Sequence, residues 1–403
     1  MRISSTRVAA IVGALAYLPE SHAWGAAGHE IVATIAQMYL HPSVLPTLCD
    51  ILDLKGNRCH IASVATWADQ HRNQMRWSAT LHYVGAIGDH PSDTCAFPGT
   101  HGWAGKEGAN VLDAVKNTTS LLQQWVDHDM SDSTASEALK FLIHFVGDMH
   151  QPLHLTGRDR GGNGARVRFG QRQTNLHSLW DGFLIAKAVR TTPRNYSRPL
   201  PYPEVERALR GTIYDSYIRR ILWEGILHPW AEDLETWLSC PTPSSSTAAT
   251  PGFLGMWQTA YGIANRIVQT FISEGVEISP DGPVVCPYHW AQPLHKLNCE
   301  IVWPKELDEP PYNQYQSADD EDEHDHEDSY DLVGDELSPR EKSRLLDLDT
   351  PKYAGVIEKK MIVEKLLAQG GIRLAGVLNY LFADESQVNG PRAAFLDDFR
   401  RAL

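Results

Sequence analysis

The sequence predicts an all-α fold, mainly helical, with one minor β element. Three features lead there. Apolar residues recur at helical spacing in several stretches, polar or Pro-rich loops join them, and a single short run, Val167 to Phe169, reads as a strand. There is no internal repeat. The chain has 403 residues, of which 42% are hydrophobic and 21% charged. That is an ordinary globular composition, which excludes a collagen, a wholly disordered chain and a basic nucleic-acid coat protein. Twelve Trp supply core and stacking surface, and eighteen His raise the prior for metal chemistry.

The elements follow in chain order. Arg2 and Arg7 flank the start of Val8 to Leu18, an apolar run of signal-peptide length and too short to span a bilayer. Ser21-His22-Ala23 then places small residues at the minus-three and minus-one positions of a cleavage site. Residues 1–23 are therefore expected to be a signal peptide, with Trp24 as the mature N-terminus. His29 to Leu40 carries Val32, Ile35, Ala36 and Tyr39 on one helical face. Glu137 to Asp148 repeats the pattern through Leu139, Leu142, Ile143 and Val146, and Pro152 ends it. Arg158 to Asn163 is a Gly-rich turn, and Leu176 to Val189 is again helical. Residues 190–285 are punctuated by proline, hold two or three helices, and include a Ser/Thr/Pro loop from Pro241 to Thr250.

The stretch from Asn313 to Asp349 differs. Eleven acidic side chains fall within residues 319–336 alone, so most of the formal net charge of −14 sits in one insert. Like charges repel and cannot bury a core, and about 313–349 is expected to be disordered. A long helix, Val356 to Phe382, then follows, with an interruption expected at Gly370-Gly371. The domain reading is a single helical domain over 24–403 that contains the acidic insert. Its body is nearly neutral, which does not favour a broad phosphate-binding surface. Phosphate chemistry would need a local cation, and a metal is the natural one.

Six Cys can all pair in an oxidising compartment, in any of 15 connectivities. Proximity favours Cys49 with Cys59. Asn117-Thr118-Thr119 and Asn195-Tyr196-Ser197 are glycosylation sequons. Secretion to the extracellular space, with no membrane anchor, is the consistent expectation.

Histidine and aspartate concentrate in four segments. These are the run from Trp24 to His29, the segment holding Asp69 and then His82, the run His144 to His154, and the run holding His177 and Asp181. His144 and Asp148 are four apart, so on a helix they share a face and can ligate one metal. His150 points elsewhere. His154 lies past Pro152 and can reach a second metal, and His177 with Asp181 repeats the four-residue spacing. Imidazole and carboxylate suit zinc. A cleaved N-terminus would add the Trp24 amine and carbonyl as a chelate, with His29 close by.

At these residues the chain resembles the secreted zinc-dependent single-strand-specific nucleases, the S1/P1 nuclease family, grouped with zinc phospholipase C in one superfamily. The resemblance rests on WGAAGHEIVA from Trp24, WADQHR around Asp69, LHY around His82, FLIHFVGDMHQPLH, GGN at Gly161 to Asn163, and NLHSLWD. Further on, Trp290 to Pro304 and Lys352 to Phe382 resemble the family's C-terminal portion. The resemblance implies a helical phospholipase C/P1-like domain with three zinc ions. Asp69, His82, His144 and Asp148 would hold the first, His154, His177 and Asp181 the second, and Trp24, His29 and a shared Asp148 the third. It also implies a Cys95–Cys299 disulfide, which leaves Cys240 with Cys286. Arg72 would contact phosphate and Tyr83 would stack on a base, with Asp148 and Arg72 as the catalytic pair.

The substrates implied are single-stranded DNA and RNA, cut to 5′-phosphate products by a monomer, with 3′-nucleotides as further substrates. Two positions depart from the pattern. Gly85 stands where the family has an aspartate that reads the base, and Gly182 where it often has asparagine. The alternatives are a zinc phospholipase C, against which Arg72 and WADQHR weigh, and a secreted metal-binding protein with a dead site.

Overall fold

Helix α1, Ala26–Met38, runs along the C-terminal helix, Ile362–Phe382, at the centre of the protein. The computed structural model describes residues 24–56, 59–99, 101–200, 203–241, 281–282, 284–315 and 344–383. The expected signal peptide and the loop at 242–250 lie outside them. Helix α1 is buried on nearly every face, from Gly28 and His29 through Ile31 to Met38, as befits a helix apolar all round. The C-terminal helix lies so close because Gly371 has no side chain. A Cβ there would stand 2.5 Å from Ile35 Cγ2.

That helix corrects one expectation. It passes through Gly370 and Gly371 without interruption, and the break comes earlier, at Met361, whose φ is 50°. The glycines serve a close helix crossing, and Met361 turns the chain from Ala354–Lys359 into Ile362–Phe382.

Helix α2 is Val44–Ile51 and α3 is Trp67–His71. Helix α4, Val111–Val126, starts at Asn110, whose Oδ1 accepts from the N–H groups of Leu112 at 2.9 Å and Asp113 at 3.0 Å. Helix α5, Asp132–Met149, is capped by Ser131 Oγ and folds back along α4. Helices α4, α5 and α1, with the C-terminal helix, enclose the main core. The middle region holds the short helices Pro203–Leu209, Asp215–Ile221 and Leu234–Leu238.

The minor β element is a hairpin. Strand β1, Arg166–Phe169, pairs antiparallel with β2, Arg172–Asn175, with Val167 opposite Thr174. The edge of β1 corrects the bounds of the acidic insert. Arg168 N–H donates to Leu346 O and Leu348 N–H to Arg168 O, both at 2.9 Å, and Leu345 and Leu348 are buried. The segment 344–349 therefore belongs to the folded body, because its two leucines have a core to enter. Asn313 likewise lies in a 3-10 turn, Tyr312–Tyr315. Residues 316–343 lie outside the described residues.

Three disulfides join Cys49 to Cys59, Cys95 to Cys299 and Cys240 to Cys286. Asn117 is exposed on α4 and Asn195 on a 3-10 turn. Among the described residues no helix is long and apolar enough to cross a membrane.

Candidate metal centre

Helix α5 delivers the central side chains. His144 and Asp148, one turn apart near its C-terminal end, are fully buried and face the same way. Asp148 meets imidazoles from three parts of the chain. His29 of α1 places Nε2 3.2 Å from its Oδ1. His82, at the end of the 3-10 segment Arg76–His82, places Nδ1 2.9 Å from its Oδ2. His144 Nε2 is 3.4 Å from the same oxygen and also 3.4 Å from Asp69 Oδ1 of α3. The His29 and His144 rings stack with centroids 3.9 Å apart.

His29 comes this near because residue 147 is glycine, where a Cβ would sit 2.5 Å from His29 Nδ1. Trp24 precedes α1, fully buried against Gly28, and Gly25 N–H donates to Asp181 O at 2.9 Å. The start of α1 is thereby tied to the second cluster.

That second cluster comprises His154, His177 and Asp181. His154 lies on the 3-10 turn Pro152–Leu155. His177 lies in the turn Leu176–Ser178, and Asp181 in the π-turn Leu179–Phe183 that follows. His177 Nε2 is 3.1 Å from Asp181 Oδ2. Gln151 Nε2 donates to Asp181 Oδ1 at 2.7 Å, and its Oε1 accepts from Leu153 N–H at 2.6 Å. The turn predicted at Arg158 to Asn163 has its purpose here. Gly161, at φ 64°, presents its carbonyl to His177 Nδ1 at 2.7 Å.

The tautomers reveal what these groups need. His144 Nδ1 donates to Ala65 O at 2.8 Å, His154 Nδ1 to His82 O at 2.6 Å, and His177 Nδ1 to Gly161 O. In its neutral form each ring keeps its proton on Nδ1, against a backbone carbonyl, which leaves Nε2 free to offer a lone pair. Yet His154 Nε2 and His177 Nε2 face one another at 3.2 Å, and His144 Nε2 faces His82 Nδ1 at 3.2 Å. In the first pair two acceptors meet, and they repel unless a cation or an added proton lies between them; in the second, His82 Nδ1 also faces Asp148 Oδ2 at 2.9 Å. His29 Nε2 and Asp148 Oδ1, 3.2 Å apart, and Asp181 Oδ2, 3.1 Å from His177 Nε2, do not meet in hydrogen-bond geometry, and buried His82 Nε2 also makes no hydrogen bond. Such orphans are costly inside a protein. Nitrogen and carboxylate donors held by backbone carbonyls and an amide fit zinc.

The electrostatics agree. Burial alone would raise the Asp148 carboxyl, but His144, His29 and His82 hold it well below the usual carboxylate range. Asp69 is likewise held down by His144 against burial. Burial opposes a charge on His144, yet Asp148 and Asp69 raise it to about 9. Burial wins at His154, which drops to about 4, and at His29, which is also lowered.

Nine residues were singled out as ligands. The structure brings Asp69, His82, His144, Asp148 and His29 into one group and His154, His177 and Asp181 into another, with Trp24 at the joint between them. Arg72 is half-buried at the C-terminal end of α3, one turn after Asp69. Tyr83 is 46% exposed beside His82. Gly85 is buried against Gly157, and a Cβ there would press on the Gly157 backbone at 3.1 Å, so the fold leaves little room for a side chain. Gly182 has open space around it.

His150 does point elsewhere. Its Nδ1 donates to Val146 O and its Nε2 accepts from Arg373 of the C-terminal helix at 2.9 Å. Sequence reasoning missed Gln151, Gly147 and the three supporting carbonyls, since an amide, a glycine and backbone oxygens carry no ligand signature.

The fold and the two His/Asp clusters define a mainly helical protein built around a buried centre that could hold metal. A model of the S1/P1 nuclease family matches residues 24–281, and the chain belongs to that family. It is 38% identical to nuclease P1 of Penicillium citrinum over 168 residues, which are 41% of this chain and 60% of that protein. It is 35% identical to nuclease S1 of Aspergillus oryzae over 176 residues, 43% and 58% of the two chains. Against endonuclease 2 of Arabidopsis thaliana it is 30% identical over 228 residues, 55% and 70%. The match thus spans under two thirds of the length of the two fungal nucleases.

Proposed function

We propose that this protein is a secreted zinc-dependent endonuclease that hydrolyses single-stranded DNA and RNA to 5′-phosphate products and also acts on 3′-nucleotides. The observation that carries the proposal is the pair of buried His/Asp clusters, in one of which His154 Nε2 and His177 Nε2 face one another. Such an arrangement calls for cations, and relatives to which the chain is similar are named nucleases. Three zinc ions are assigned. Asp69, His82, His144 and Asp148 take one, and His154, His177 and Asp181 take another. Trp24, His29 and a shared Asp148 take the third. Zinc held by these residues would supply Lewis acidity and positive charge toward the phosphate and the leaving oxygen.

The chain's own residues do the rest. Ala65, His82 and Gly161 carbonyls fix the tautomers of His144, His154 and His177, and Gln151 orients Asp181. Arg72 binds a non-bridging phosphate oxygen through its guanidinium fork. Tyr83 offers its exposed ring to a base, which a single strand can present and a duplex cannot. Secretion is supported by the three disulfides, which need an oxidising compartment to persist.

The test is a metal analysis of the secreted protein beside an assay. Denatured DNA and RNA should be cut to 5′-phosphate ends, chelation should stop cutting and zinc should restore it. Phosphatidylcholine micelles should stay intact. A zinc-loaded protein that leaves single-stranded DNA, RNA and 3′-nucleotides untouched would end the proposal.

A further inference from the structure

Apolar exposure is concentrated beside the metal centre. Of the six large hydrophobic residues exposed among the described residues, Trp77, Tyr83 and Ile87 fall within one eleven-residue stretch, the one that carries His82. Trp77 is 61% exposed, more than Tyr83 itself. A tryptophan left in water gives up a large burial gain, so its position calls for a reason.

The ring is mounted. Trp77 meets Phe141 of α5 edge-on at 5.6 Å, and Phe141 in turn meets Trp67 at 5.4 Å. Lys140 holds its ammonium over the Trp67 ring at 5.0 Å. Arg76 is the exposed neighbour of Trp77, and Arg72 lies one turn earlier. An aromatic face fixed in place, with arginines at positions 72 and 76 close to it in the chain, suits a group that is flat on one side and anionic on the other. A nucleotide of a single strand is such a group.

Trp77 and His82 lie at opposite parts of one 3-10 segment, five residues apart, which at about 2.0 Å per residue separates their backbones by about 10 Å along the segment. That equals about three stacked rises of 3.4 Å. A base on Trp77 is therefore not the base next to the scissile phosphate.

We infer that Trp77 is a second base-stacking platform, which holds a nucleotide of the substrate strand away from the one at Tyr83 and favours long single strands over short ones. The inference rests on the nuclease reading above. Arg76 and Lys140 supply phosphate contacts along the same track.

The experiment compares zinc-loaded wild type, Trp77→Ala and Trp77→Phe on a dinucleotide and on a single-stranded oligonucleotide of about 12 nucleotides, within the span of single-strand sites. Trp77→Ala should raise KM for the oligonucleotide about 5- to 150-fold, the range of one lost base stack, with kcat unchanged. Its kinetics on the dinucleotide, zinc content and melting temperature should match wild type. Trp77→Phe should recover most of the loss. Equal effects on both substrates, or none on either with an active wild type, would overturn the platform and leave the nuclease reading standing. A wild type inactive on both substrates would remove the two together.

Discussion

Asp148 is the side chain on which most of the centre depends, since His29, His82 and His144 all turn a nitrogen toward it. Asp148→Asn keeps the shape but removes the charge. We expect it to lower zinc content by more than one ion per chain, because the carboxylate is assigned to two of them. Elemental analysis giving full zinc content would contradict the shared role. Gln151→Ala acts one step further out. Freeing Asp181 Oδ1 should weaken zinc binding at the second cluster about 10- to 100-fold, measurable by chelator competition.

The metal-free protein offers a pH test with two signs. Burial lowers His154 to about 4, while an unfolded histidine titrates near 6.5. Between these values the unfolded chain binds the proton and the folded one refuses it, so His154 destabilises the fold as pH falls. For His144, burial is outweighed by Asp148 and Asp69 and the value rises to about 9. Its contribution is full below about 6.5 and is lost as pH rises through about 9. Imidazole resonances of chelated protein should show His144 titrating in the alkaline range and His154 neutral at pH 6. Both titrating near 6.5 would refute the pair.

Among elements, the closeness of α1 and the C-terminal helix is a precondition for the site, because α1 carries His29. Gly371→Ala would put a methyl 2.5 Å from Ile35 Cγ2 and 3.1 Å from Val32 O. Overpacking of this kind costs about 1–3 kcal/mol, so denaturant unfolding should show a lower midpoint with an unchanged slope. The π-turn Leu179–Phe183 matters in the same way. It widens the backbone where Asp181 must reach His177, and such turns are frequent at functional sites.

For the whole molecule, the clusters join segments from α1 to the π-turn, so cations there also act as crosslinks. Chelation should lower the melting temperature, and zinc should restore it in a concentration-dependent way. The Cys95–Cys299 bond, spanning 204 residues, ties the segment after Tyr83 to the helix region that follows Pro287. Replacing the pair by serine should cost about 2–5 kcal/mol.

Much of this was legible in the chain alone, where the physics is local. The helical period places His144 over Asp148 and His177 near Asp181, and the α1, α5 and β1 patterns read correctly from apolar spacing. Gly370-Gly371 was misread, because a glycine pair looks the same whether it breaks a helix or lets another helix approach. The ends of the acidic insert were misjudged because Leu345 and Leu348 find their core only beside β1. Gln151, Gly147 and the carbonyls of Ala65, His82 and Gly161 were invisible for the same reason. Which carbonyl takes a ring proton depends on partners up to 79 residues away, brought together by packing and not by any period along the chain.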